Sequence, residues 1–192
     1  MHLALEPGDV MPLPLARARA RWPQYRQCVQ ALSDWTRSCA LPPELLAACD
    51  VALMACRGAR YHHDGAQYGR AAFCNLFVSE DRGLDLHFPH TGQRIALTRG
   101  TAVLFDTGQP HGVIGRHRHR FEPTDFPPER DCSQLFLTWE LPIKNPRVSQ
   151  ALQIRHDIDP ATARMLDEEQ VRLGGMRAAV DAASGRWCRA DC

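Results

Sequence analysis

Between residues 71 and 141 the chain is cut into short apolar runs by turn residues, and this rhythm restricts the fold more than any other feature. Ala71 to Val78 is one compact apolar run, closed by Ser79-Glu80-Asp81-Arg82-Gly83. Leu84, Leu86 and Phe88 alternate with Asp85 and His87 before the turn Pro89-His90-Thr91-Gly92. Ile95 and Leu97 follow, then Arg99-Gly100, then Thr101 to Asp106, then His111 to Ile114. Leu135, Leu137 and Trp139 alternate with Phe136 and Thr138. Successive strand side chains point to opposite faces, so alternation marks half-buried strands. Many short strands separated by Gly, Pro and Asp turns predict a β-sandwich or barrel.

The flanks read differently. A chain of 192 residues has room for one domain with helical additions. Residues 1–57 form a proline-punctuated lead and then a helical support. Tyr25, Cys28, Val29, Leu32 and Trp35 recur at three- and four-residue steps, which predicts a helix over 23–37. A second helix is expected after Pro43, with Leu45, Leu46, Cys49, Leu53 and Cys56 on its buried face. Residues 58–141 hold the β core, and 142–192 are expected to add a C-terminal helical extension. Its clearest helix start is Asp159-Pro160, an N-cap followed by proline in the first turn.

Composition removes several classes. Lys plus Arg is 23 against 22 Asp plus Glu, so the net charge of +1 argues against a nucleic-acid binder. No stretch approaches the roughly 20 apolar residues of a membrane span, and 3–15 lacks a continuous apolar signal region. A cytoplasmic location is therefore expected. The eight cysteines include no C-x-x-C pair and several sit inside apolar runs, so they read as free, mostly buried thiols. Lys144 is the only lysine.

The chemistry concentrates at Tyr61-His62-His63-Asp64-Gly65. In extended chain, residues two apart point the same way, so His62 and Asp64 can converge on one ion. A third ligand must come from elsewhere. His111 is the best placed, opening a strand after Gly100-Thr-Ala-Val-Leu-Phe-Asp106-Thr-Gly108-Gln-Pro110. Two neutral imidazoles and one carboxylate, with open positions beside them, form the facial triad of non-haem Fe(II) oxygenases. The blander reading makes His62-His63 a solvated turn and His111 a strand-end histidine bonded to a carbonyl. His87, His90, His117 and His119 read as strand-end, turn or loop residues.

These residues, with the segment Gly83 to His111 between them, resemble the Fe(II)/2-oxoglutarate-dependent oxygenases. The resemblance covers 58–141 and implies a mainly β fold, with a double-stranded β-helix (jelly-roll) core packed by N- and C-terminal helices. It implies His62, Asp64 and His111 as metal ligands and catalytic centre, Fe(II) as metal, and 2-oxoglutarate as co-substrate, converted to succinate as a small molecule or protein side chain is hydroxylated. The family places an Arg or Lys on the strand after the distal histidine to fork the far carboxylate of 2-oxoglutarate. Here 133–141 contains neither. Arg130 is the first candidate for that role and Arg120 the second. Tyr68 and Asn75 are neutral candidates near the dyad. Arg116, Arg118 and Arg120 could form a small anion patch.

Two alternatives stand beside this reading. One is a cupin-type metalloenzyme that does not use 2-oxoglutarate, since Gly100, Asp106, Gly108 and His111 resemble a cupin motif. Against it, the histidine–acid pair here is His62-x-Asp64, and the next acidic residue is the distant Glu80. The other is a non-enzymatic β-sandwich binding module.

Overall fold

A computed structural model describes residues 5–68, 70–154, 172–173 and 176–190. The chain enters through strand β1 (Val10–Leu13), a short helix α1 (Leu15–Arg19) and the longer helix α2 (Tyr25–Ser38). One further turn of helix, α3 (Leu45–Ala48), precedes seven strands: β2 (Val51–Cys56), β3 (Ala59–His62), β4 (Ala71–Phe77), β5 (Leu84–Phe88), β6 (Gln93–Ala96), β7 (Ala102–Asp106) and β8 (His111–Gly115). A single helical turn, α4 (Gly65–Tyr68), sits between β3 and β4. Strand β9 (Gln134–Pro142) and helix α5 (Pro146–Leu152) follow. Among the remaining described residues are β10 (Arg172–Leu173), β11 (Met176–Val180) and β12 (Trp187–Arg189).

The fold is mainly β, and the pairings are antiparallel. A five-stranded sheet runs β1-β2-β9-β4-β7 and a four-stranded sheet runs β3-β8-β5-β6. From β2 to β9 the chain passes repeatedly from one sheet to the other. Phe77, Leu86, Phe88, Phe105 and Val113 share one apolar cluster that joins strands of both sheets. The other cluster covers the opposite face of the five-stranded sheet: Leu53, Leu76, Leu137, Trp139 and Leu141 meet Leu32, Leu45 and Leu46 of the helices. Alternation therefore sorts β9 and β4 into two faces. Phe136 and Phe73 turn inward, while Leu137, Trp139, Ala72 and Cys74 turn toward the helices.

The expected helix over 23–37 is α2, and its stripe of Tyr25, Cys28, Val29, Leu32 and Trp35 faces the sheet. The second expected helix is corrected. Helix α3 ends at Ala48, Cys49 is already extended, and 51–56 is strand β2 paired to β9 along its length. The reason is burial on both faces: Leu53 packs under the helices while Cys56 packs between the sheets. A strand buried on both sides shows no alternation, so its apolar run reads like a helix. The boundary drawn at residue 57 thus cuts through the five-stranded sheet, which also takes in β1. Pro12 is tolerated because β1 is an edge strand.

The helical C-terminal extension is corrected in part. Helix α5 is present, capped by the Asn145 side chain accepting from Arg147 N at 2.9 Å, with Pro146 in its first turn. Residues 172–173, 176–180 and 187–189 are strands, not helix. The expected start at Asp159-Pro160 lies outside the described residues. Strand β11 continues into a turn that docks on β3, where Tyr61 N donates to Ala182 O at 3.0 Å. No helix among the described residues is long and apolar enough to cross a membrane.

The β2–β3 turn contains a glycine that the packing requires. Gly58 has φ +67°, and a Cβ there would stand 2.4 Å from the Phe126 ring. Phe126 is buried and stacked on Phe121 at 5.3 Å. Gly58→Ala therefore combines a left-handed backbone penalty of about 1–2 kcal/mol with overpacking of about 1–3 kcal/mol. The expected outcome is a melting temperature lowered by at least about 5 °C, read by thermal denaturation.

Candidate metal centre

Strand β3 aims the first histidine inward by carrying one residue too many. Ala59 pairs with Val113 and His62 pairs with His111, so three steps on β3 match two on β8. The extra residue is a β-bulge, which bends a strand and re-aims side chains. Ala59 packs in the core between the sheets, and regular alternation would send His62 to the opposite face. The bulge restores it to the inner face, directly across from His111. The two imidazole rings stand 4.5 Å apart, centroid to centroid.

Asp64 arrives from the loop beyond β3. Its backbone N–H donates to Thr107 O at 2.8 Å, and its carbonyl accepts from Gln67 N and Tyr68 N, closing α4. One carboxylate oxygen lies 3.6 Å from His62 Nε2 and the other 3.5 Å from His111 Nε2. His62, Asp64 and His111 each offer a ligand atom within 4.8 Å of the others.

The far side of each ring fixes its tautomer. His62 Nδ1 lies 2.7 Å from Arg60 O, and His111 Nδ1 lies 2.9 Å from Gln109 O. A carbonyl only accepts, so Nδ1 carries the hydrogen in both rings. In the neutral imidazole Nε2 is then a bare lone pair. Such backbone partners are the usual outer support of metal-ligating histidines. Burial holds His111 neutral, its pKa pushed down to about 3, with His62 adding to the effect. Burial raises the Asp64 carboxyl above its usual range, opposed by His62 and His63. Three electron-pair donors thus face one point, two nitrogens and a carboxylate, and a divalent cation of intermediate hardness fits that set.

The sequence reading missed Thr107. It is fully buried, and its hydroxyl lies 2.9 Å from both the Tyr68 and Ala71 carbonyls. Its own carbonyl takes the Asp64 amide. It therefore ties the loop bearing Asp64 to the turn that leads into His111. The local signal was the turn Asp106-Thr107-Gly108, in which Gly108 N donates to Asp106 Oδ1 at 2.9 Å. What Thr107 would meet lies nearly forty residues away and leaves no local trace.

The other candidates scatter. Tyr68 sits at the rim, its ring on Phe73 at 5.0 Å, its hydroxyl accepting from Gln67 Nε2. Burial raises its pKa, and the charges of Glu140 and Asp64 add to this, which puts both carboxylates in its neighbourhood. Asn75 lies on β4, between the inward-facing Phe73 and Phe77, and is buried. Arg130 is elsewhere. It donates to Cys132 Sγ at 3.0 Å and to Asp125 O at 3.1 Å, in a recess with Gly115 and Arg116 at the other end of β8 from His111. Arg120 is exposed and ion-paired to Glu122. Arg116 grips Asp81 and Asp85, and Arg118 grips Asp125, so the expected anion patch is met by the protein's own carboxylates. His87 is corrected from a strand-end surface residue to a buried one, its Nδ1 bonded to the Tyr61 hydroxyl.

The comparisons with known proteins add little at this point. No family model matches the chain, and no curated protein matches it. Solved structures of similar arrangement include the polyketide cyclase RemF from Streptomyces resistomycificus, at 13% identity and TM-score 0.32 over 63% of this chain and 70% of that one. Vicilin from Corylus avellana (hazelnut) matches at 18% identity and TM-score 0.31 over 47% of this chain and 23% of its own. A prolyl 4-hydroxylase from Phytophthora capsici matches at 16% identity and TM-score 0.39 over 81% of this chain and 54% of its own. At these identities and scores the likenesses carry no functional argument, and what the centre does is argued from its own residues.

Proposed function

We propose that the chain is a non-haem Fe(II)-dependent oxygenase of the double-stranded β-helix type, hydroxylating a small molecule or a protein side chain. The observation that carries this reading is the convergence of two Nε2 lone pairs and one carboxylate, with both Nδ1 atoms tied to backbone carbonyls. Two antiparallel sheets that contain the orders β2-β9-β4-β7 and β3-β8-β5-β6, with β1 added at the edge of the first, support this reading. His62, Asp64 and His111 would hold the iron on one side and leave its other positions for oxygen and an organic ligand. The iron would supply the redox chemistry. The chain supplies two imidazoles oriented by backbone carbonyls, a carboxylate on a loop whose Asp64 N–H is held by Thr107 O, and an apolar wall of Phe88 and Phe105 beside His111.

2-Oxoglutarate is the co-substrate that the family resemblance implies. Its keto-acid end suits an open-sided metal. Its far carboxylate needs a cation or several donors once out of water. Arg130 and Arg120 are engaged elsewhere, and no inward-facing position identified on β4, β7, β8 or β9 is Arg or Lys. The described residues therefore do not fit the usual far-carboxylate clamp. That observation favours a second reading, a cupin-type metalloenzyme that does not use 2-oxoglutarate. The two separate in one experiment with Fe(II)-loaded protein, ascorbate and a pool of candidate substrates. Oxygen uptake matched by succinate formed from 2-oxoglutarate supports the first. Oxygen uptake without 2-oxoglutarate or succinate supports the second. No oxygen uptake under either condition rejects the oxygenase.

Alanine in place of His62, Asp64 or His111 is expected to weaken Fe(II) binding at least about 100-fold, beyond the 10–100-fold cost of losing an outer partner. Metal titration checks this, and full retention in any one variant removes that residue from the centre.

Thr107→Val leaves the Tyr68 and Ala71 carbonyls without their shared donor and loosens the Asp64 loop. The expected outcome is a stability loss of about 1–3 kcal/mol and an Fe(II) affinity about 10-fold weaker, with all three ligands still present. Chemical denaturation and metal titration of the same variant report the two effects separately.

A further inference from the structure

The inner face of the five-stranded sheet carries a polar pair whose side-chain oxygens have no hydrogen-bond partner among the described residues. Asn75 on β4 and Thr138 on β9 are direct cross-strand neighbours. Asn75 is 6% exposed and Thr138 9%. Asn75 Oδ1 and Thr138 Oγ1 are buried without any hydrogen bond. Both side chains turn inward, because their flanking residues Cys74, Leu76, Leu137 and Trp139 all pack under the helices. A buried polar group without a partner is costly, and native structures carry few of them. Two on adjacent strands, side by side, mark a place prepared for another molecule.

Their position relative to the metal centre is set by a chain of rings. His111 packs on Phe105 at 4.8 Å, and Phe105 packs on Phe73 at 5.9 Å. Asn75 is two residues along β4 from Phe73 on the same face, one step of about 6.6–6.8 Å deeper into the space between the sheets. The pair thus lies on the inner face, beyond the rings that lead from His111 through Phe105 to Phe73.

The chemistry of the pair selects what it can receive. A carboxylate only accepts, so it leaves Asn75 Oδ1 unanswered and buries its own charge with no cation on the neighbouring inward positions. A carboxamide both donates and accepts. Its N–H reaches Oδ1, and its oxygen accepts from the Thr138 hydroxyl or the Asn75 amide. We infer that Asn75 and Thr138 form a subsite for an uncharged donor–acceptor group, such as a carboxamide, on the organic molecule that shares the metal. This rests on the metal-centre reading above and replaces the far-carboxylate clamp with a neutral one.

Two unreactive oxalyl amides that differ only at the far end test it: N-oxalylglycine, which carries a carboxylate there, and N-oxalylglycinamide, which carries a carboxamide. Each is titrated calorimetrically, without oxygen, into protein whose Fe(II) loading has first been measured. The expected result is that N-oxalylglycinamide binds at least tenfold more tightly. Asn75→Leu and Thr138→Val should each cut that preference to under threefold, with Fe(II) affinity unchanged. Because the Thr138 hydroxyl bonds nothing among the described residues, metal-free Thr138→Val should melt no lower than the wild type. The inference is overturned if N-oxalylglycine binds as tightly or better. It is also overturned if neither oxalyl amide binds the loaded protein, or if metal-free Thr138→Val melts several degrees lower. Failure of Fe(II) itself to bind instead rejects the metal-centre reading, and this inference with it.

Discussion

A strand with one residue more than its partner must bulge, and everything at the centre follows from where β3 does so. Between Ala59 and His62 the pairing with β8 slips by one residue. A slip of one exchanges the two faces of a strand. Here it lets Ala59 pack in the core and then returns His62 to the same inner side, opposite His111. The residue displaced, Tyr61, stays buried, with its hydroxyl on His87 and its backbone N–H on Ala182. The bulge is therefore held from both sides, by the ligand pair within and the β11–β12 turn without.

The second constraint is the orientation of the two rings. The Nδ1–carbonyl bonds orient both imidazoles, and burial keeps His111 unprotonated far below neutral pH. Neutral rings with outward lone pairs are what a metal requires. Asp64 brings the negative charge. Its amide is fixed to Thr107 O, so the carboxylate sits between the two Nε2 atoms without depending on a flexible loop.

Elsewhere the protein settles its charges locally. Asp85 is buried on β5 and meets Arg116 at 3.0 Å and Arg94 at 3.5 Å. The bidentate Arg116–Asp81 pair ties the turn before β5 to the end of β8. His63 leans on Trp187 at 5.0 Å, which brings the C-terminal strands to the edge of the candidate metal centre. The run Arg116-His-Arg-His-Arg120, which stands out in the sequence, is folded back on Asp81, Asp85, Asp125 and Glu122.

The sequence by itself determined the short-strand pattern from Ala71 onward, the apolar stripe of α2, and the residue types of the three candidate ligands that the fold brings together. Each of these is written in local spacing or in residue chemistry. Strand β2 was hidden because burial on both faces erases alternation, and β1 because proline on an edge strand looks like a linker. Asn75 could be singled out as a polar residue on a strand, but its partner Thr138 could not, because cross-strand neighbours come from distant parts of the chain. The same distance concealed Thr107 and gave Arg130 a place it does not occupy. Spacing along the chain reports what lies within a turn or a strand. Which strand lies beside which, and which face a bulge restores, is decided only when the two sheets pack.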